Sequence, residues 1–201
     1  KDPGYAHFSL LYNDFMTNYY GAYDAFDTEM SGLLKTYVKG KLEMYPDKNH
    51  WADANSTLRV TYGKLEGSKP ADGMKYLEYT TLDGVMDKFY TGNPDFEILP
   101  RLAELHKAKN YGKYAQDGEL WVCFTGSNHT TGGNSGSPVL DANGNLMGLN
   151  FDRTWESTMS DFMFDPSRCR NITVDIRYVL WVMDIYAGAK HLVDEMELVT
   201  K

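Results

Sequence analysis

The sequence predicts an α+β fold, with a helical segment over residues 1–52 followed over 53–201 by short antiparallel strands and a closing C-terminal helix. Three features of the 201-residue chain carry this reading. Apolar residues first step by three and four, then break into short runs cut by Gly, Pro, Asn and Asp, and finally return to helical spacing. The first stripe runs Leu11, Phe15, Tyr19, Tyr23, Phe26, Met30, Leu33 or Leu34, Tyr37 or Val38 and Leu42, with a break expected near Gly21 or Gly32. Its rings are expected to pack on a neighbouring helix or sheet. The period stops at Tyr45-Pro46-Asp47, and Leu58 to Gly63 alternates as a half-buried strand does. Further strands are expected at Tyr76 to Thr80, Leu120 to Thr125, Pro138 to Leu140 and Leu146 to Phe151, with a helix opening on Pro100. Asn143-Gly144 between two apolar runs predicts a hairpin with a type I′ turn. Many short strands with tight turns point to an antiparallel sandwich or barrel. The helical period from Asp175 to Met196 predicts one terminal helix docked across it.

Composition excludes several classes. The 20 Lys and Arg against 28 Asp and Glu give a net charge of −8, so there is no basic surplus to neutralise a phosphate backbone, and nucleic acid is not expected as a partner. No run approaches the roughly 18 to 20 apolar residues of a membrane span. The chain opens on Lys1-Asp2-Pro3 without a charged-then-apolar leader, and it reads as part of something longer. Cys123 and Cys169 allow one bridge but read as buried free thiols. The Asn-X-Ser/Thr triplets at Asn55, Asn128 and Asn171 bear only on a secreted eukaryotic chain. No metal or cofactor is expected: Asp83, Asp87, Asp95 and Glu97 lack a liganding spacing and read as solvated faces.

Residues 132–138, Gly132-Gly133-Asn134-Ser135-Gly136-Ser137-Pro138, sit between a polar loop and a strand. A serine hydroxyl is a weak nucleophile that needs an outside base, and the carbonyl it attacks develops an oxyanion that needs aimed donors. The glycines let the backbone fold tightly enough for the amides of Gly133 and Ser135 to converge on one oxygen. The same residues also suit an ordinary glycine-rich turn, and both readings stand at this point.

Gly133-Asn134-Ser135-Gly136-Ser137-Pro138 resembles the nucleophile loop of trypsin-fold serine peptidases, with Asn134 where most have Asp. One branch is matched more closely. Pro138-Val139-Leu140, Gly148-Leu149-Asn150-Phe151-Asp152, Trp155-Glu156, Arg168-Cys169, Val174 to Leu180 and Tyr186 to Ala189 resemble the C-terminal end of the bacterial dipeptidyl-peptidase 7 and 11 family. Tyr79 to Met86 does so as well, and the resemblance runs from about Asn55 to the end. It implies two trypsin-like β-barrels with an inserted helical domain, and removal of dipeptides from free N-termini by a Ser-His-Asp triad. Residues 1–52 would end the insert, and 53–201 would form most of the second barrel. Ser135 falls on the nucleophile, with Gly133 and Ser135 supplying the oxyanion hole. Asp152 falls on the acid that holds the substrate's α-ammonium group, unless it is a solvated turn carboxylate. Arg153 stands where relatives preferring hydrophobic side chains have Gly, and it resembles the branch that cleaves after Asp or Glu. A guanidinium fork suits a carboxylate, and leaving it unpaired in a pocket costs on the order of 2 to 5 kcal/mol. The competing arrangement pairs Arg153 with Asp152 or Glu156 on the surface.

The resemblance also implies peptide substrates with a free N-terminus, no cofactor, a periplasmic or cell-surface location and a homodimer of the full-length protein. Of the five histidines, His7, His50, His106, His129 and His191, none has a catalytic context. His129, just before the Ser135 loop, reads as a surface residue. The triad's histidine and aspartate are expected upstream, which makes the chain inactive alone. Two alternatives remain: a peptidase with a hydrophobic preference, and a binding module on the same fold without catalysis.

Overall fold

Asp2 opens the first helix, its carboxylate accepting from the amides of Gly4 at 2.8 Å and Tyr5 at 3.4 Å ahead of Pro3 at the first helical position. The computed structural model describes residues 2–48, 50–52 and 55–199, which divide into two units, Lys1–Asn55 and Ser56–Lys201. In the first, α1 (Pro3–Asn18) and α2 (Tyr20–Met44) are separated at Tyr19, not at Gly21 or Gly32. The expected stripe is helical, but neither helix buries a residue. Instead of seating on a neighbouring element, the rings meet one another: Phe8 stacks on Tyr12 at 5.9 Å, and Phe15 meets Tyr20 at 6.3 Å.

The second unit is built on a five-stranded antiparallel sheet of order β1-β2-β5-β4-β3, with β1 Tyr79–Thr81, β2 Trp121–Gly126, β3 Pro138–Leu140, β4 Leu146–Arg153 and β5 Asn171–Asp175. The expected strand over 58–63 is absent. Leu58, Val60 and Tyr62 are exposed, because alternation makes a strand only where a sheet edge and an apolar surface are there to receive it. The chain joins the sheet just afterwards, where Leu65 bridges Gly126 and Glu66 N–H donates to Thr125 O at 3.1 Å. Buried Arg170 holds this junction through Gly67 O at 2.9 Å, Pro166 O at 2.8 Å and Glu66 at 3.3 Å.

Strand β5, at the centre of the sheet, carries no strand signal in the sequence because its buried positions are Asn171, Thr173 and Asp175. Strands β3 and β4 form the expected hairpin, but through a different turn. Gly144 N–H donates to Asp141 O at 3.1 Å, only Gly144 has positive φ (+86°), and the Asp141 carboxylate accepts from the amides of Asn143 and Asn145. That is a type I turn closed by a left-handed glycine, which spares Asn143 the positive φ of a type I′ turn. β1 and β3 are the sheet's two edges, and among the described residues no pairing joins them into a closed barrel.

Helices cover one end of the sheet. α3 (Leu82–Phe89) follows β1, and α4 (Pro100–Lys107) begins at the predicted proline. The expected single terminal helix is three pieces: α5 (Ile176–Trp181), a π-helical turn (Val182–Tyr186) and α6 (Lys190–Asp194), divided at Gly188 with φ +70°. The core between these helices and the sheet joins Leu82, Tyr111, Tyr114, Leu120, Leu180, Trp181 and Val193. Trp181 is 0% exposed, and its indole N–H donates to Asn110 O at 2.9 Å. Its replacement by Ala is expected to cost about 3 to 5 kcal/mol, a lost ring plus a cavity. Chemical denaturation of wild type and variant measures this, and an unchanged midpoint would contradict the placement of the core.

Candidate active site

The site is assembled at the end of β5 opposite the core. β4 pairs with β5 as Gly148 with Asp175, Leu149 with Val174 and Asn150 with Thr173, then resumes one residue late with Asp152 opposite Ile172 and Arg153 opposite Asn171. Phe151 is therefore a bulge residue. In unbroken alternation Asp152 would share the inward face of Asn150. With the bulge, Phe151 and Asp152 are both exposed and Arg153 turns to a half-buried position, the kind of re-aiming bulges perform beside functional sites.

The serine loop packs onto this bulge. Gly136 N–H donates to Asn150 O at 2.7 Å, Asn150 N–H donates to Ser137 O at 2.9 Å, and the exposed Ser135 hydroxyl lies 3.5 Å from Phe151 O. Gly133 and Gly136 have φ of +97° and +83°, which side-chain-bearing residues rarely adopt. Thr131 and Asn134 close the loop reciprocally: Thr131 N–H donates to Asn134 Oδ1 at 3.0 Å, and Asn134 N–H to Thr131 O at 3.2 Å. Among the described residues, the amides of Gly133 and Ser135 donate to nothing.

The guanidinium of Arg153 has a partner that the sequence reading did not consider. It pairs with Asp161, Nη1 to Oδ1 at 2.7 Å and Nη2 to Oδ2 at 3.2 Å, and Nη1 also reaches Ser160 Oγ at 2.8 Å. The competing arrangement, a surface pairing with Asp152 or Glu156, is not the one that forms. Asp161 is brought round by the 3₁₀ turn Trp155–Asp161, and the Asp152 carboxylate instead accepts from the Arg153 backbone amide at 2.7 Å. The hydrogen bond from Arg153 holds the Asp161 carboxyl below its ordinary range, and the same bond raises Arg153.

Ser135, Asp152 and Arg153 thus gather at the C-terminal end of β4. An apolar cavity of about 190 Å³, lined by Tyr76, Leu77, Cys123, Phe124 and Ile172 among others, takes in none of the three. His129 is half-buried, not on the surface as expected: its Nε2 meets Ser160 O at 3.1 Å and its ring stacks on Phe164 at 4.5 Å. Ser135 Oγ has no imidazole partner among the described residues. Asp83, one of the carboxylates weighed as a cation ligand, meets His106 Nε2 at 2.6 Å. No cluster of three metal-ligating side chains occurs among the described residues, and no helix among them is long and apolar enough to cross a membrane. Both cysteines are free thiols, Cys169 buried and Cys123 half-buried. Asn171 is buried, so its triplet is closed to modification. The residues sequence reasoning missed are Asp161, Asn150 and Asn171. An aspartate in a polar stretch and two asparagines in strands give no signal until the fold brings them together.

Comparison with known proteins adds the family. A model of the peptidase S46 family matches residues 1–198. The chain belongs to that family. This S46 chain is 51% identical over 198 residues to the Asp/Glu-specific dipeptidyl-peptidase of Flavobacterium psychrophilum, a match covering 98% of this chain and 28% of that one. It is 49% identical over 171 residues to dipeptidyl-peptidase 7 of Phocaeicola vulgatus, covering 85% of this chain and 24% of that protein. Its structure matches that of Porphyromonas endodontalis DPP11 in complex with the dipeptide Arg-Asp, with a TM-score of 0.80 and 45% identity over 86% of this chain and 25% of the other. The S46 chain therefore spans about a quarter of the length of its relatives.

Two measurements check the electrostatics of this S46 chain. Because the Asp161 carboxyl is lowered, its pairing is present above the ordinary carboxylate range and lost only as pH falls through the depressed value. Arg153→Ala should move the Asp161 titration, followed by NMR, back up to the ordinary range, and an unmoved titration would remove Arg153 as the cause. Burial, the largest influence on Cys123, pushes its thiol up to about 11, so only about a thousandth is thiolate at pH 8. Alkylation of Cys123 at pH 8 should be far slower than that of free cysteine and rise about tenfold per pH unit. A rate equal to that of the free amino acid would contradict the buried placement.

Proposed function

We propose that this chain is the C-terminal portion of a serine exopeptidase that releases N-terminal dipeptides, preferring Asp or Glu as the second residue. Residues 1–52 end an inserted helical domain, and 53–201 contribute most of the second barrel of a trypsin-like pair, the five antiparallel strands being the part of it present here. Ser135 attacks the carbonyl after the second residue, and the partner-free amides of Gly133 and Ser135 receive the oxyanion. The exposed carboxylate of Asp152 holds the α-ammonium group, which sets the distance from the free end to the scissile bond. The base that takes the Ser135 proton, with its orienting carboxylate, comes from the upstream barrel. We place the intact enzyme in the periplasm or at the cell surface, as a homodimer.

The observation that carries the acidic preference is the occupancy of Arg153. Asp161 takes the Nη1/Nη2 end of the guanidinium, while the Nε/Nη2 side edge has no partner among the described residues. A guanidinium has two such bidentate edges, so a substrate carboxylate can take the side edge without displacing Asp161. The same pair also favours a second reading: if Asp161 neutralises Arg153 fully, the pocket prefers apolar side chains. That preference matches the dipeptidyl-peptidase 7 branch of the resemblance.

Dipeptidyl reporters differing only in the second residue test both readings on the intact enzyme. Ser135→Ala should lower turnover by about 10⁴-fold or more. Arg153→Gly should cost Asp and Glu reporters about 2 to 5 kcal/mol in kcat/KM and shift preference to apolar residues. Unchanged selectivity would reject the pocket assignment. The purified 201-residue chain should show no turnover, for want of a base, and measurable turnover would contradict the need for the upstream barrel.

A further inference from the structure

A peptide unit is planar and trans, so its C=O and the following N–H point in opposite directions. Whatever fixes the carbonyl of Asn134 therefore fixes the direction of the Ser135 N–H, one of the two oxyanion donors proposed above. Two groups hold that carbonyl: Ser137 N–H at 3.0 Å and the side-chain Nδ2 of Asn150 at 3.2 Å. Asn150 also holds the loop through its backbone, accepting from Gly136 N–H at 2.7 Å and donating to Ser137 O at 2.9 Å. One β4 residue thus grips the loop on both sides of Ser135.

The Asn150 amide is itself oriented. Its Oδ1 accepts from Asn171 Nδ2 at 2.9 Å, and Asn171 Nδ2 also donates to Thr173 Oγ1 at 3.2 Å. The three side chains are buried, with residue exposures of 5%, 3% and 0% for Asn150, Asn171 and Thr173. The direction of the chain follows from its end. A backbone carbonyl can only accept, so Asn150 must turn its NH₂ to Asn134 and its oxygen to Asn171. Asn171 must then turn its own NH₂ to Asn150. The remaining Asn171 Oδ1 is left buried without a donor, beside Gly126, where a Cβ would come within 2.9 Å of it. An orphaned buried acceptor in a native fold calls for a reason, and the polarity of this relay supplies one.

We propose that Asn150 is a positioning residue for the oxyanion hole, with Asn171 as the group that orients it. The proposal rests on the reading of Ser135 as nucleophile and oxyanion donor. Asn150→Ala removes the donor to Asn134 O, and Asn150→Asp sets an acceptor against it.

In the intact enzyme, both variants should lower kcat by about 10- to 100-fold while KM for the same acidic dipeptidyl reporter stays within about twofold. Affinity for a peptidyl boronate, which mimics the tetrahedral adduct, should fall in proportion to kcat/KM, and affinity for the product dipeptide should not. Asn171→Ala, one hydrogen bond further from the loop, should show the same pattern with a smaller loss, and it carries the test if the Asn150 variants fail to fold. Folded variants with unchanged kcat would overturn the relay, as would a rise in KM alone or a parallel loss of boronate and product affinity. Substantial turnover by Ser135→Ala would instead sink the nucleophile reading on which the relay rests.

Discussion

Burying an amide, a hydroxyl and a carboxylate along one face of a central strand costs stability unless each is hydrogen-bonded, and β5 meets that constraint at both of its ends save for one acceptor, Asn171 Oδ1. Asp175, 2% exposed, accepts from the Arg177 amide at 2.8 Å as the cap of α5, and its carboxylate pairs with the Arg177 guanidinium at 2.6 Å. That guanidinium lies 5.1 Å from the Trp121 ring, which stacks on Tyr79 at 3.8 Å. The strand thereby sets where the terminal helices leave the sheet and seat Trp181. At its other end Asn171 and Thr173 pass their orientation to Asn150 and so to the serine loop. Polar burial on one strand thus joins the end of the sheet that seats the hydrophobic core to the end that carries the serine loop.

Next to that strand, the bulge at Phe151 separates two neighbours that ordinary alternation would treat differently. Asp152 is released to solvent while Arg153 is drawn to Asp161 and Ser160, so adjacent charges serve different partners. A carboxylate and a guanidinium on adjacent residues would neutralise each other if their side chains met. Holding Asp152 to the Arg153 backbone amide, and Arg153 to Asp161, keeps the two apart.

Much of the fold is legible in the residues. Pro100 starts α4, β3 spans the predicted Pro138–Leu140, the apolar run from Leu146 becomes β4, and the first stripe is helical. Each rests on local physics: a proline's fixed φ, alternation against a covered face, a 3.6-residue period. The failures share a cause as well. Leu58 to Gly63 alternates and forms no strand, β5 forms a strand whose inward side is polar, and the terminal period hides a break at Gly188. Pattern reports what a segment can bury, and whether it does so depends on what lies beside it.

The same division holds at the site. Local chemistry was enough to offer Ser135 and the glycines around it as a nucleophile loop beside the plainer reading of a turn, and the Asp152-Arg153 pair entered only through the family resemblance, which consecutive residues carry. Asp161 facing Arg153, Asn171 behind Asn150, and the bulge that sets Asp152 outward belong to the folded chain alone. They are relations between segments many residues apart, and a hydrogen bond's direction is fixed by the partner that packing supplies.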